Sequence, residues 1–301
     1  MTREEFLQRR KSGIGGSDVA AVLGLSPWRS PLDVFEDKTD DAALREFKES
    51  KPTGETRALY WGAALEGEIA KAYTITTGRK VMRYTRILRH PEYEYIVGDV
   101  DRLVYCEDGS RPFKANTGEI VTDRGLEIKT SRFKSEEWGD DGSDNIPVPY
   151  YCQVQWYMAL APSVRVFDVA VLFGGSDFQI FTVPRNDELI GKLIAKVAEF
   201  WQTYIVTRTA PPPRTFEEVK RLHPAANIPK ITASVELEKL VRDLAAATAR
   251  RKADEAAESG LKFQVAAQMG GAELAELPDG TPLCTFKNSK NGDRRLTVKI
   301  K

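Results

Sequence analysis

Hydrophobic positions at helical spacing mark several segments in the first two thirds of the chain. The clearest covers residues 59–77 and is followed by residues 150–161, ended by Pro162, and by residues 187–207. The apolar stripe of the 59–77 segment consists of Trp61, Leu65, Ile69, Ala72 and Thr76. A loop with a short helix over residues 9–24 and a second helix beginning at Ser30-Pro31 complete the predicted helices.

Between these helices the pattern favours strands. Short runs rich in Val, Ile, Leu and Tyr are bounded by turn residues, which is typical of half-buried strands. The predicted strands cover residues 79–90, 93–97, 100–106, 119–121, 126–130, 164–173 and 178–183. Residues 119–121 and 126–130 are expected to pair across Asp123-Arg124-Gly125. This order predicts the α/β or α+β class, with a central mixed β-sheet flanked by helices.

The last quarter of the chain has a different pattern. Residues 234–258 form a charged amphipathic helix with a narrow apolar stripe, which suits a helical hairpin or a coiled coil. A second short helix is predicted over residues 261–269 and a small β-unit over 273–301, with a turn at Asn291-Gly292. We therefore expect a core of residues 1–224 and a C-terminal accessory region, residues 225–301, of helices followed by a β-hairpin.

Composition narrows the classes of function. The 301 residues are 42% hydrophobic, enough for a buried core, and the 44 basic residues balance the 44 acidic ones. Zero net charge disfavours a protein that coats nucleic acid indiscriminately. No apolar run approaches the roughly 20 residues of a membrane span, and the charged N-terminal segment does not resemble a signal peptide. A cytoplasmic location and no membrane association are therefore expected.

Cysteine and histidine are too sparse for a soft-metal site. Cys106, Cys152 and Cys284 are widely separated and form no CxxC pair, which disfavours a disulfide framework, zinc or an iron–sulfur cluster. His90 and His223 lie too far apart in sequence to suggest a shared metal. Any metal is therefore expected on oxygen ligands.

The strongest chemical signal is Asp101, followed 26 positions later by Glu127-Ile128-Lys129. Strand side chains alternate between faces, so Glu127 and Lys129 project to one side and Ile128 to the other. If the two strands are neighbours, two carboxylates and an ammonium group meet. Two carboxylates suit Mg²⁺, which also retains waters and substrate phosphate, and the lysine could orient an attacking water during phosphodiester hydrolysis.

The pattern alone leaves a plainer alternative open. Glu127 and Lys129 could be a cross-strand ion pair of little energetic weight. A second ExK sequence, Glu218-Val219-Lys220, follows Thr215 in what reads as a helix capping box, with Glu218 at its third helical position. Pattern and strand context together therefore point to a nuclease without establishing one.

Two further polar residues are candidates for the same site. Glu66 lies on the 59–77 helix at the edge of its apolar stripe and is a candidate metal ligand, or else an exposed helical glutamate. Gln153, within the helix at residues 150–161, could orient a water or a phosphate, although most helical glutamines are only solvated.

The chain resembles the lambda exonuclease and YqaJ-type phage recombination exonuclease family of the PD-(D/E)xK nuclease superfamily. The resemblance spans roughly residues 9–205. It is carried, in family order, by residues 10–24 (RKSGIGGSDVAAVLG), 60–66 (YWGAALE), 98–103 (GDVDRL) with 126–130 (LEIKT), and 150–158 (YYCQVQWYM).

The resemblance implies roles for the matching residues. Asp101, Glu127 and the backbone carbonyl of Ile128 would bind the metal, with Glu66 adding a carboxylate and Gln153 supporting the site. Lys129 would serve the attacking water. Residues Arg10 and Ser17 would bind a terminal 5′-phosphate, and Ser17 could also be a plain helix N-cap.

The implied activity is Mg²⁺-dependent 5′→3′ exonuclease action on double-stranded DNA, with Mn²⁺ a substitute and two ions bound with substrate. It would leave 3′ single-stranded tails for recombination in a bacterial host, the gene being of phage or prophage origin. A ring-shaped homotrimer and a single-strand-annealing partner are also implied. Two rivals stay open: another nuclease of this fold, either an endonuclease or a RecB/Cas4-like exonuclease, and a non-catalytic DNA-end-binding protein.

The sequence departs from the family pattern before the metal aspartate. The family often has a small residue and proline there, whereas this chain has Asp99-Val100-Asp101. Asp99 could weaken a phosphate contact or join the metal site. The accessory region could serve trimer contacts, partner docking, or DNA contacts through Lys287, Lys290, Arg294 and Arg295, or it could be a solvated domain without a direct role.

Overall fold

A computed structural model describes residues 12–39, 54–226, 228, 230–289 and 292–300. The chain divides into two compact units, Met1–Pro224 and Ala225–Lys301. Among the described residues, no helix combines the length and the apolar character that crossing a membrane requires.

The first unit is a mixed α/β structure. Its helices are α1 (Gly16–Val22), α2 (Pro31–Thr39), α3 (Gly54–Thr77), α4 (Val148–Leu160), α5 (Asp187–Phe200), which continues as a π-helical segment over Trp201–Val206, and α6 (Phe216–Leu222). Its strands are β1 (Val81–Arg83), β2 (Leu88–Arg89), β3 (Val97–Gly98), β4 (Arg102–Val104), β5 (Arg124–Ser131), β6 (Val166–Phe173) and β7 (Asp177–Pro184).

Five of these strands form one sheet in the order β1-β4-β5-β6-β7. Only β5 and β6 run parallel, with Glu127 opposite Val169 and Lys129 opposite Val171. The other neighbours are antiparallel. The parallel pair needs a crossover, and α4 supplies it. The predicted central mixed sheet flanked by helices is confirmed, while β2 and β3 form a separate short pair.

Local sequence explains where the key helices begin and end. The prolines at 147 and 149 flank the first residue of α4, where a missing N–H costs nothing, and Pro162 follows its end. Asn186 caps α5 by accepting a hydrogen bond from the Leu189 N–H at 3.0 Å.

Alternation along β5 divides the interior into two clusters, one on each face of the sheet. Leu126 and Ile128 pack with Ile69 and Tyr73 of α3. On the opposite face α4 and α1 pack over Val169 and neighbouring strand residues. The face that carries Glu127 and Lys129 is therefore the one that α4 covers.

Two local predictions are wrong in this unit. Residues 119–121 do not form a hairpin with β5, because Ile120 instead bridges Phe113, and Arg124 and Gly125 already belong to β5. The N-cap of α1 is Gly15 rather than Ser17. The Gly15 N–H is satisfied by the Asp18 carboxylate at 3.2 Å, so Ser17 lies within the first turn.

The second unit contains one long helix and a small sheet. Helix α7 runs without interruption over Val235–Met269, so the predicted break before residue 261 is wrong. The strands β8 (Leu274–Glu276), β9 (Pro282–Asn288) and β10 (Arg294–Val298) form an antiparallel sheet rather than a single hairpin, in the order β10-β9-β8. Gly260 is tolerated because a single helical glycine costs only about 1 kcal/mol relative to alanine. Asn291 of the predicted turn lies outside the described residues.

Candidate active site

Asp101 and Glu127 are brought together where β4 begins beside β5. The β4–β5 pairing places Arg102 opposite Leu126, and Asp101 comes directly before this strand. Its carboxylate accepts a hydrogen bond from the Ile128 backbone N–H at 2.9 Å. Because β4 does not extend as far as Ile128, the Asp101 carboxylate accepts the hydrogen bond that a backbone carbonyl of a longer β4 would have accepted from this N–H.

Glu127 is almost wholly buried, and its two oxygens differ in their contacts. Oε1 accepts hydrogen bonds from Lys129 Nζ at 2.5 Å and from Gln153 Nε2 at 2.7 Å. Oε2 is also buried, and no described residue gives it a hydrogen-bond donor. A buried carboxylate oxygen without a donor is costly and is therefore a sign of a site that takes up a ligand.

Lys129 lies between the carboxylates and an aromatic ring. Its ammonium group is 5.2 Å from the centre of the Tyr150 ring, within the range of a cation–π contact. About a fifth of the Lys129 side chain is exposed, whereas the Glu127 side chain is almost wholly buried.

Gln153 supports Glu127 from α4. Its Nε2 contacts both Glu127 Oε1 and the Tyr157 hydroxyl oxygen, the latter at 2.8 Å. Tyr150, Gln153 and Tyr157 share one helical face at spacings of three, four and seven residues. This spacing was visible in the sequence and would have identified the two tyrosines, which the prediction missed.

Burial and crowding of charge set the electrostatics. Burial, and then the neighbouring Asp101 carboxylate, raise the pKa of Glu127 to about 8, against the opposing effect of Lys129. Burial also raises the pKa of Asp101. Burial alone would lower the pKa of Lys129, but Glu127 and Asp101 outweigh it and the pKa is raised. The raised carboxyl pKa values mean that ionising both Asp101 and Glu127 is costly here, and the Lys129 ammonium group offsets only part of that cost.

These residues fit a divalent cation. The buried carboxyl group of Glu127 and the partly buried one of Asp101 lie beside each other, and Oε2 of Glu127 has no donor among the described residues. Mg²⁺ is commonly held by one or two carboxylates while it keeps several waters. Within the described part of the chain, no group of three or more His, Cys, Asp or Glu residues converges on one point. The side-chain carboxylates at this point are thus those of Asp101 and Glu127.

Glu66 lies near this pair but is engaged elsewhere. Its Oε1 accepts a hydrogen bond from Arg102 Nη1 at 2.5 Å, and the same nitrogen contacts the Asp101 backbone oxygen at 2.7 Å. Its charge contributes to the raised pKa of Asp101. Arg102, which the sequence analysis did not single out, therefore links α3 to the aspartate.

The glycine-rich loop also reaches the site. Ile14 pairs with Tyr95 and Val97 through its backbone, which sets Gly15 and Ser17 beside Asp99 and Asp101 around one cavity. Ser17 is exposed there. Arg10 lies outside the described residues.

The second ExK sequence does not belong to the site. Thr215 Oγ1 accepts a hydrogen bond from the Glu218 N–H at 3.2 Å, and Glu218 accepts one from the Arg214 N–H at 2.6 Å. Glu218 therefore caps α6, as the sequence predicted, and Lys220 is exposed.

Comparison with known proteins identifies the family. The YqaJ-like viral recombinase domain matches residues 5–163, more than half of the chain. An uncharacterized protein, YqaJ of Bacillus subtilis (strain 168), is 37% identical over 213 residues, which cover 70% of this chain and 59% of that protein. The chain thus spans about three fifths of the length of this relative.

Similarity to solved structures is more distant. An alkaline exonuclease from Laribacter hongkongensis is 18% identical and has a TM-score of 0.47, covering 73% of this chain and 97% of its own. A phage-related exonuclease from Haemophilus somnus is 14% identical with a TM-score of 0.39, covering 65% and 96%. The assignment rests on the sequence matches, and by these the chain belongs to the YqaJ-like viral recombinase domain family.

Proposed function

We propose that this protein is a Mg²⁺-dependent deoxyribonuclease that degrades one strand of double-stranded DNA from its 5′ end. The observation that carries the proposal is the pairing of Asp101 with the buried Glu127 beside Lys129, with a Glu127 oxygen that no described residue satisfies. Family membership in a viral recombinase domain agrees with DNA as the substrate.

Asp101, Glu127 and the Ile128 backbone carbonyl are the groups that would hold the cation, and the nearby Glu66 carboxylate raises the pKa of Asp101. A bound divalent ion supplies Lewis acidity and lowers the pKa of a coordinated water. Lys129 offsets negative charge at the phosphate and orients the attacking water. Gln153 keeps the Glu127 carboxylate in position through its 2.7 Å hydrogen bond.

The direction of attack rests on the resemblance to phage recombination exonucleases. Arg10 and Ser17 are the proposed contacts for the terminal 5′-phosphate, and Ser17 borders the cavity that also contains Asp101. A homotrimer around the DNA and a single-strand-annealing partner for the 3′ tail belong to the same proposal.

The test uses linear duplex DNA labelled at either the 5′ or the 3′ end, with Mg²⁺ and then with chelator. We expect metal-dependent release of nucleotides from the 5′ end and a persistent 3′-labelled strand. Lys129→Ala and Glu127→Ala should each reduce the rate at least about 100-fold, as is typical when a charge-stabilising group is removed. Lys220→Ala, in the other ExK sequence, is the matched control and should keep full activity.

Three results would count against the proposal. Full activity of both site variants would exclude this site, and cutting of covalently closed circles would indicate an endonuclease instead. Equal rates on 5′-phosphorylated and 5′-hydroxyl ends, with no change in Arg10→Ala, would exclude the phosphate pocket.

A further inference from the structure

An exposed tryptophan lies beside the candidate active site. The Trp28 ring is 5.7 Å from the Tyr150 ring at an interplanar angle of 31°. Tyr150 in turn lies under the Lys129 ammonium group. Trp28 is nevertheless 63% exposed, so most of its large apolar ring faces solvent. The Tyr150 ring lies between it and the Lys129 ammonium group.

The loop that carries Trp28 is held in place on both sides. The Ser26 hydroxyl oxygen accepts hydrogen bonds from the N–H groups of Trp28 and Arg29, at 3.2 and 3.3 Å. Ser30 and Asp33 then cap each other at the start of α2, with the Ser30 N–H donating to the Asp33 carboxylate at 2.7 Å.

A buried ion pair anchors the next residue. Arg29 Nη1 donates to Asp18 Oδ1 at 2.6 Å, and Lys38 Nζ contacts the other oxygen of Asp18 at 2.9 Å. Asp18 is only 1% exposed. Trp28 is thus attached to a rigid loop, so little conformational entropy would be lost when a ligand contacts its ring.

Tyr150 is likewise fixed from beneath. It lies in the first turn of α4 and contacts Trp138, whose ring centre is 5.5 Å away and which is itself buried against Phe173 and Phe181. The aromatic series therefore runs from the protein interior through Tyr150 to an exposed ring at the surface. Aromatic rings that are both fixed and accessible are the groups on which nucleic-acid bases stack.

We propose that Trp28, supported by Tyr150, is a stacking platform for a nucleobase of the DNA strand presented to Glu127 and Lys129. The inference rests on the proposed nuclease function and adds a substrate contact that determines affinity. A DNA base is the favoured occupant because the ring lies next to the ammonium group that would face the phosphate. The platform acts on any base, since every base has a π-face.

The test is equilibrium binding rather than cleavage. A fluorescent duplex with a short 5′ overhang is titrated with Glu127→Gln protein in chelator, and anisotropy is measured. Trp28→Ala should weaken binding at least about fivefold, the lower end of what base stacking contributes, and Trp28→Phe should recover most of the affinity. Phe216→Ala removes another exposed ring, on α6, and should leave affinity unchanged.

Abasic DNA separates stacking from a structural effect. Duplexes with a single abasic residue at successive positions from the end are titrated with the same variants. When the abasic residue occupies the stacked position, the Glu127→Gln parent should bind more weakly than it binds intact DNA. The Trp28→Ala variant, which lacks the platform, should bind that abasic duplex and intact DNA equally well. An equal penalty for Trp28→Ala on intact DNA and on every abasic duplex would overturn the platform.

The two hypotheses fail in different ways. Tight binding by the parent with unchanged binding by Trp28→Ala overturns the platform and leaves the nuclease proposal standing. Failure of the parent to bind any DNA end overturns both.

Discussion

Glu127 is a buried carboxylate whose two oxygens do not both have a hydrogen-bond donor among the described residues. Oε1 receives two donors, whereas Oε2 receives none from the described residues. A bound cation would satisfy Oε2 and relieve the repulsion between Glu127 and Asp101. Stability is thus given up at the residue that the proposal makes a metal ligand.

The first prediction concerns metal binding. Mg²⁺ at about 100 times its Kd should stabilise the wild type by about 2.7 kcal/mol and raise Tm by roughly 5–10 °C for a unit of this size. Glu127→Gln should show little of this rise, because one ligand loses its charge. Differential scanning fluorimetry with and without Mg²⁺ measures it, and Glu188→Gln, an exposed glutamate on α5, should keep the full shift. Equal shifts in all three proteins would contradict the metal site.

The second prediction contrasts two buried glutamines of α4. Gln153→Met keeps volume but removes the N–H that holds Glu127, so activity should fall about 10- to 100-fold with little change in Tm, as for other groups that orient metal ligands. Gln155 instead donates to the Pro184 carbonyl at 2.7 Å and accepts from the Asn186 N–H. Gln155→Met should therefore cost about 1–3 kcal/mol of stability and leave activity per folded molecule nearly unchanged. The reverse outcome would contradict the assigned roles.

At the scale of elements, the site depends on close approach of α1 to α4. A Cβ added at Gly16 would lie 2.7 Å from the Tyr157 ring and 3.0 Å from Gln153 Cγ, and one at Gly98 would lie 2.6 Å from Leu160. The two glycines therefore let the α1 segment and β3 pack directly on the α4 face that holds Glu127. Glycine here serves close packing rather than a left-handed backbone conformation.

The third prediction follows from that packing. Gly16→Ala should destabilise the protein by about 1–3 kcal/mol, as overpacking does, and should reduce activity because the displaced side chains include Gln153. Gly191→Ala, on α5 with nothing within 4 Å, should instead stabilise by about 0.5–1 kcal/mol. Urea denaturation together with nuclease rates measures both, and an active, equally stable Gly16→Ala protein would contradict the packing argument.

Helix α3 is anchored to the opposite face of the sheet by a buried polar group. Tyr73 OH donates to Asp168 Oδ2 at 2.5 Å, and Asp168 Oδ1 accepts from Arg124 at 2.7 Å and from Thr182 at 2.9 Å. Tyr73 lies seven residues after Glu66, two helical turns along the same face. The anchor therefore sets the position at which Glu66 meets Arg102.

At the scale of the whole molecule, the two units differ in how much they bury. The first contains both core clusters, whereas no described residue of α7 is buried. The apolar stripe predicted on α7 is exposed at Val235, Leu240 and Leu244. The stripe is therefore uncovered at these positions, whereas Met269 at the end of α7 contacts Cys284 of β9 at 3.4 Å.

The fourth prediction is the assembly. The proposed ring requires a solution mass three times the protomer mass of 33.7 kDa. Sedimentation velocity at micromolar concentration, with and without duplex DNA, should show this species, because closed symmetric rings form from head-to-tail contacts. A monomer that stays active on long DNA would contradict the ring.

Hydrophobic periodicity by itself determined the fold class, the helices at α3, α4 and α5, and the shared face of Glu127 and Lys129. These are local properties, since a period of two or 3.6 residues is set within one element. The break predicted in α7 and the 119–121 hairpin were both wrong. They rested on Gly260 and Gly125, a residue type that favours turns, but Gly260 lies inside a helix and Gly125 inside a strand. Tertiary and helical context overrode that preference.

Only the tertiary structure decided what meets at the site. The Asp101 contact to Ile128, the diversion of Glu66 to Arg102 and the Trp28–Tyr150 ring contact join residues that are between 27 and 122 positions apart. No periodicity encodes such distances, because strand order and the packing of α1 on α4 depend on the whole core. The sequence named Asp101, Glu127 and Lys129, and the fold added the burial that leaves a Glu127 oxygen available to a ligand.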